Sequence, residues 1–199
     1  VRYAMKNGGR RGDLSSRDLS EHNLAGLPMM ELRAPGALLD RCTLAKTNFS
    51  HADLFDASFL ESDCRRTSFF HADIRGARFH RAQLAGANFE GADLRAGTYI
   101  RSDRGTTKTD LSKAVMEEAN FSKAKLESAD LSGSNLRRAN FTGARMSSVD
   151  LTDADLRGAN LTDAKLTGAI LTGANLKGAT LRGASFARAD MRGVDLDGV

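Results

Sequence analysis

Between Ala154 and Arg188 the chain reads ADLRG ANLTD AKLTG AILTG ANLKG ATLRG ASFAR, and at Ala189 the phrase begins again. A small residue opens each phrase, a polar one usually follows, Leu or Phe stands third, and two mostly polar or small residues close it. With the large apolar residue called i, the phrase runs from i−2 to i+2. A period of five fits neither the 3.6 of a helix nor the 2 of a strand. On an α-helix Leu156, Leu161, Leu166 and Leu171 would each advance about 140° from the last and share no face. A chain that turns a corner every five residues does fit. Residues i and i−2 then point inward, and the other three point outward. Four such sides close a square coil of about 20 residues, and coils stack at about 4.8 Å, the spacing of neighbouring strands. The narrow interior explains the small i−2 residue, because a second bulky side chain per side would overfill it.

Outward from this stretch the beat holds in both directions. Toward the C-terminus it continues to Leu196. Toward the N-terminus it runs without a slip through Leu151, Met146, Phe141, Leu136, Leu131, Leu126, Phe121 and Met116 to Leu111. From Leu39 to Tyr99 it is regular again, with Phe49, Phe69 and Phe89 spaced to stack as an inward aromatic ladder. The step from Tyr99 to Leu111 is longer than two phrases by a pair of residues. The segment IRSDRGTTKT, residues 100–109, therefore holds one coil side plus that extra pair, or a surface loop. Leu14, Leu19 and Leu24 keep the beat, but Arg17 and His22 are too large and polar for i−2. Residues 12–38 read as an irregular first coil or cap. The stretch 27–36, with Pro28 and Pro35, is expected to bulge or form a helical turn over the open end. Residues 1–11 fit no repeat and carry Arg2, Lys6, Arg10 and Arg11 around Gly8-Gly9, as a basic tail.

These in-phase A(D/N)Lxx phrases resemble the pentapeptide-repeat family. The resemblance covers Gly36 to Val199 well and Gly12 to Pro35 weakly. It implies an all-β right-handed quadrilateral β-helix, and the handedness and four-sided section come from the resemblance alone. Counting i positions gives about nine coils in one domain, residues 12–199, divided as cap or bulge 12–38, coils 39–99, loop 100–110 and coils 111–199.

Composition agrees with a thin filled column. Aromatics are 6% and Trp is absent, while hydrophobic residues make up 41%. The net charge of +4 comes from interspersed charges of both signs, a solubility device. No apolar run reaches the length of a membrane span and no signal peptide opens the chain. Cys42 at i−2 and Cys64 at i are inward filler rather than a disulfide framework, compatible with a cytoplasmic location. The chain opens on Val1 and stops in mid-phrase at Val199, which suggests an unusual start or a piece of something longer.

Residues four phrases apart share a column, so the surface can be read directly. Asp110, Asp130, Asp150 and Asp190 form one column, broken by Ile170, and Asn120, Asn140, Asn160 and Thr180 form another. Lys125, Arg145 and Lys165 at i−1, with Arg137, Arg157 and Lys177 at i+1, flank the Asn/Thr side as a candidate anion-facing strip. The column pitch of about 4.8 Å does not match the phosphate rise of about 3.4 Å, so no specific nucleic acid is expected. One coil breaks the polar rule at i+1 with Phe55, Leu60, Arg65 and Phe70. Together with Arg101, Arg104 and Lys108 of the loop, these are the candidate protein-binding residues. His51 and His71 share a column but lack a third ligand, so no metal site is expected.

No nucleophile elbow, P-loop, dinucleotide fingerprint or HExxH occurs. Asp residues recur at identical ladder positions, whereas acid–base pairs need environments that split their pKa values. No catalytic residue and no cofactor are expected, and the chain is not read as an enzyme. The leading reading is a rigid scaffold for protein–protein interaction. The resemblance adds two alternatives. One is protection of DNA gyrase or topoisomerase by DNA mimicry, against which the positive charge and basic columns count. The other is a repeat module of a larger effector or ubiquitin-ligase adaptor. A protein partner is expected and no membrane contact is. The partner's identity and the oligomeric state stay open.

Overall fold

The computed structural model describes residues 12–98 and 106–199. Residues 1–11, expected as a basic tail, and Tyr99, Arg101 and Arg104 lie outside them. The chain winds as a right-handed quadrilateral β-helix, with every bridge between neighbouring coils parallel.

One phrase shows why the sequence makes this coil. In Ala139-Asn140-Phe141-Thr142-Gly143, the amide of Asn140 donates to Ala119 of the coil before, at 2.9 Å. Those of Phe141 and Gly143 donate to Asn160 and Thr162 of the coil after, at 2.7 and 2.9 Å. The next phrase's Ala144 amide closes the corner on the Phe141 carbonyl at 2.9 Å. Only the i+1 amide has no backbone acceptor, and the Asn140 carboxamide takes it, with Oδ1 3.1 Å from the Thr142 nitrogen. Asp or Asn at i−1 is thus the part of the repeat that completes the backbone hydrogen bonding.

The corners carry the signature of type II turns, with a positive φ at i+2. Many corners place Gly there, among them Gly143 at 64°, yet Glu118 at 59° and Lys123 at 57° adopt the same conformation. Stacked inter-coil bonds hold these side-chain-bearing residues where isolated peptides seldom go.

Four faces follow. The first has i−1 residues Asp13, Arg33, Asp53, Asp73, Asp93, Lys125, Arg145, Lys165 and Ser185. The second runs from Asp18 through Arg78, Asp110 and Asp130 to Asp190, the third from Asn23 to Asp195, and the fourth from Pro28 through Asn120 to Thr180. Inside, Leu and Phe at i and Ala at i−2 are fully buried along most of the rod. The expected ladder extends further than its first three rings. Phe49, Phe69, Phe89, Phe121 and Phe141 stack down the fourth face with centroids 4.7–5.7 Å apart. Phe59 and Phe79 stack at 4.6 Å on the second face and meet the ladder edge-on. Where i−2 is not Ala, its hydroxyl finds a carbonyl, as when Thr47 and Thr67 donate to Leu24 and Leu44 at 2.7 Å. Cys42 and Cys64 are buried free thiols, and burial pushes the Cys64 thiol up to about 12.

Two expectations change. Residues 27–36 neither bulge nor form a helical turn, for bridges Pro28–Asn48 and Arg33–Asp53 keep them on the coil path. Pro35 sits at i+1, whose amide the ladder never uses, and the fixed negative φ of proline suits the first central position of a type II turn. Pro28 sits at i−1 of the first described coil, where no described coil precedes it. One side inverts its sizes: Leu32 at i−2 and Ala34 at i are both buried, so the volume per side is kept. Arg17 and His22 are exposed at the rim of that coil.

The second change concerns the phase slip. Arg78 pairs with Asp110, Gln83 with Val115, Asn88 with Asn120 and Asp93 with Lys125, a longer step along the chain than between any other neighbouring coils. The coil therefore passes from Leu94 directly to Leu111, and the beat position expected at Tyr99 lies outside the described residues. The described residues between Leu94 and Leu111, 95–98 and 106–110, stand at the corner between the first and second faces. Strands β1 (Gly97–Thr98) and β2 (Thr106–Thr107) pair antiparallel as the base of a hairpin.

Candidate protein-binding surface

Each coil deals its four i+1 residues to four different faces, so the aromatic girdle is not one patch. Phe55 lies on the first face, Leu60 on the second, Arg65 on the third and Phe70 on the fourth. The three apolar members are half-buried. The Arg75 guanidinium lies 5.5 Å from the Phe55 ring centre, and the backbone of Gly97 comes so close that an added Cβ there would stand 3.1 Å from the ring. Phe70 meets His51 and His71 edge-on at 5.5 and 4.3 Å. Leu60 takes its amide cap from Asp40 of the coil before, because Ser58 replaces the usual acid at i−1. The large exposed apolar residue on this side is Met30, further along the fourth face, at 51% exposure. The hairpin base covers part of the girdle, with Gly97 against the Phe55 ring.

Three residues that sequence reasoning passed over fasten that hairpin. The Thr109 hydroxyl accepts from the Gly76 amide and donates to the Arg95 carbonyl, both at 2.9 Å. Gly76, at φ 70°, leaves the space in which Thr107 sits, for an added Cβ would stand 2.7 Å from its Oγ1. A Gly at i+2 is so common in the repeat that nothing in the sequence marks Gly76 as different. Lys108 is exposed.

Arg65 is engaged rather than projecting. Its guanidinium forks onto Asp63, with Nε–Oδ1 2.8 Å and Nη2–Oδ2 2.6 Å. The same fork joins Arg75 to Asp73, Arg95 to Asp93, Arg157 to Asp155 and Arg192 to Asp190. Asp-x-Arg about an i residue is thus a spacing that the sequence did display. The forks hold the carboxyls of Asp63, Asp155 and Asp190 below the usual carboxylate range, Asp190 to about 2.

The two basic columns of the candidate strip lie on the first and third faces, with the Asn/Thr face between them. Most of its cations already have partners. Arg145 pairs with Glu127 at 2.8 Å, Arg157 with Asp155, Lys177 with Asp197 at 2.6 Å, and Lys125 and Arg137 approach Asp93 and Glu117 at 3.8 Å. Lys165 has no ion pair among the described residues. On the face between, Asn140 donates to Asn120 and Asn120 to Asn88, each at 3.2 Å.

His51 and His71 stack in parallel with centroids 5.6 Å apart, and His71 lies over Gly91. Stacked rings at that separation do not aim two nitrogens at one tetrahedral ion, which needs them roughly 3 Å apart. Among the described residues no group of three or more His, Cys, Asp or Glu could hold a metal ion, and no helix is long and apolar enough to cross a membrane.

The family model described as pentapeptide repeats matches residues 33–61, 62–96, 107–138, 119–158 and 159–198. Among solved structures, full-length QnrB1, a plasmid-mediated fluoroquinolone resistance protein, is 22% identical over 94% of this chain and 90% of its own, with a TM-score of 0.58. HetL, from the cyanobacterium Nostoc sp. Strain PCC 7120 and involved in heterocyst differentiation regulation, is 27% identical over 92% and 88%, with a TM-score of 0.45. No curated protein sequence matches the chain. The five-residue corners, the filled square interior and a family match spanning most of the length lead to one assignment: this chain belongs to the pentapeptide-repeat family.

Proposed function

We propose that the chain is a non-enzymatic rigid scaffold for protein–protein interaction. The observation that carries this reading is the contrast, among the described residues, between a repetitive rod and the hairpin base of Gly97–Thr98 and Thr106–Thr107. Inward positions are filled, and most i−1 carboxylates cap their own turns. The hairpin is fastened beside Phe55 by Gly76, Gly97 and Thr109. A preformed surface of this kind loses little conformational freedom on docking. The contact residues are those around the hairpin, Phe55 and Lys108 with Arg101 and Arg104, and those of the girdle, Leu60, Arg65 and Phe70. The test compares captured proteins for wild type, Phe70→Asp, and a variant with residues 98–106 replaced by a tight turn. Loss of a common set of proteins in either variant supports the scaffold, and an unchanged set in both overturns this assignment of its surface.

A second reading is protection of DNA gyrase or topoisomerase from inhibitors. It draws on the fold shared with QnrB1, itself a fluoroquinolone resistance protein. Its physical support here is the second face, where Asp110, Asp130 and Asp150 stand in register at the coil pitch. Supercoiling assays with a fluoroquinolone decide it: no protection at about micromolar protein removes this reading.

A further inference from the structure

The first face changes sign halfway along the rod. Its i−1 column carries Asp53, Asp73 and Asp93, then Lys125, Arg145 and Lys165 in successive coils. In the neighbouring i+1 column, Arg75 and Arg95 precede the change and Glu127 follows it directly. Only the long step across the hairpin makes Asp93 and Lys125 neighbours, so the pattern is invisible in the linear sequence.

We propose that this face binds a second copy of the chain, antiparallel and face to face. Consider a two-fold axis lying across the face between Asp93 and Lys125. It sets each column against itself with the direction reversed. Asp93 then meets Lys125 of the second copy, Asp73 meets Arg145, Asp53 meets Lys165, and in the next column Arg95 meets Glu127. Symmetry repeats each pair. Further out, Arg75 faces Ser147, Phe55 faces Thr167, Pro35 faces Ala187 and Arg33 faces Ser185. Among the described residues of this face no like charges are opposed. The shape agrees as well. The hairpin base rises over Gly76 at the edge of the face, and the opposing copy presents the small residues Ser147, Ser148, Thr167 and Gly168 there. Among the described residues Asp53 and Lys165 make no ion pair within the chain, so charge is left for the second copy. One face of a thin rod buries a modest area, and its ion pairs are screened by salt. The dimer is therefore weak and salt-dependent. This inference does not rest on the scaffold reading.

Sedimentation equilibrium of the full chain at about 20 and about 500 mM salt tests it. The wild type dimerises at low salt and dissociates at high salt. Asp53→Lys and Lys165→Asp each weaken dimerisation at least about tenfold, because each sets like charges together twice. Mixing these two variants restores a heterodimer, and the double variant restores a homodimer. Both positions belong to a column that natively holds acids and bases, and thermal melts check that the fold is intact. Association through the ends of the rod would ignore these substitutions. A wild type still monomeric at about 200 µM in low salt, or a dimer indifferent to charge reversal, overturns the proposal.

Discussion

For single residues, the polar member of each phrase is a backbone reagent rather than a surface ornament. Asn140 receives the Thr142 amide at 3.1 Å and the Thr142 hydroxyl at 2.7 Å, and no backbone acceptor stands ready in its place. Asn140→Ala should therefore destabilise the rod by about 1 kcal/mol, as loss of a helix N-cap does. Lys165 occupies the same position but has no acceptor to offer, so Lys165→Ala should change stability by less than about 0.5 kcal/mol. Urea unfolding of both variants checks the contrast. The A(D/N)L signature was legible as a pattern. Its cause became visible only when each amide was traced to its acceptor.

Within a coil side, volume is conserved rather than residue type. Leu32 and Ala34 exchange the usual sizes of i−2 and i and are both buried. Leu32→Ala should leave a cavity and cost about 2–5 kcal/mol. Ala34→Leu alone should overpack the side and cost about 1–3 kcal/mol. The double variant Leu32→Ala/Ala34→Leu restores the common phrase, and it should be more stable than either single variant. Thermal melts of the three proteins decide this, and the coupling is the informative quantity. The expectation of a bulge here came from reading two prolines as breaks. Pro35 falls at i+1, where no backbone acceptor waits and where Arg33 at i−1 could not cap an amide, and Pro28 has no described coil before it. Sequence alone does not say which amides a fold leaves idle.

Across the entire rod, Asp-x-Arg forks recur and couple stability to acid. Asp190 is held near 2 by Arg192, and Asp13 near 2 by Ser15 first and then Arg33, against an ordinary value of 3.8. Carboxyls lowered by folding contribute stability that is fully present above the unfolded value and lost as pH falls through the folded one. The melting temperature should stay level from about pH 7 to 5 and fall between about pH 4 and 2. Circular dichroism melts across that range measure it. Replacing Arg157 and Arg192 together with Gln should shrink the acid-sensitive part, because two forks are then gone.

The order of amino acids alone dictates the corner every five residues, the identity of the inward residues and the columns within each uninterrupted half. All of these follow from a strict local period and a narrow interior, which are properties of neighbouring phrases. How the two halves join was settled by three-dimensional pairing. The path from Leu94 to Leu111 depends on which coil receives the chain after the hairpin, and that is a long-range choice with no local signal. That one choice seats the hairpin base on Gly76 and Phe55 and brings the acidic and basic halves of the first face end to end.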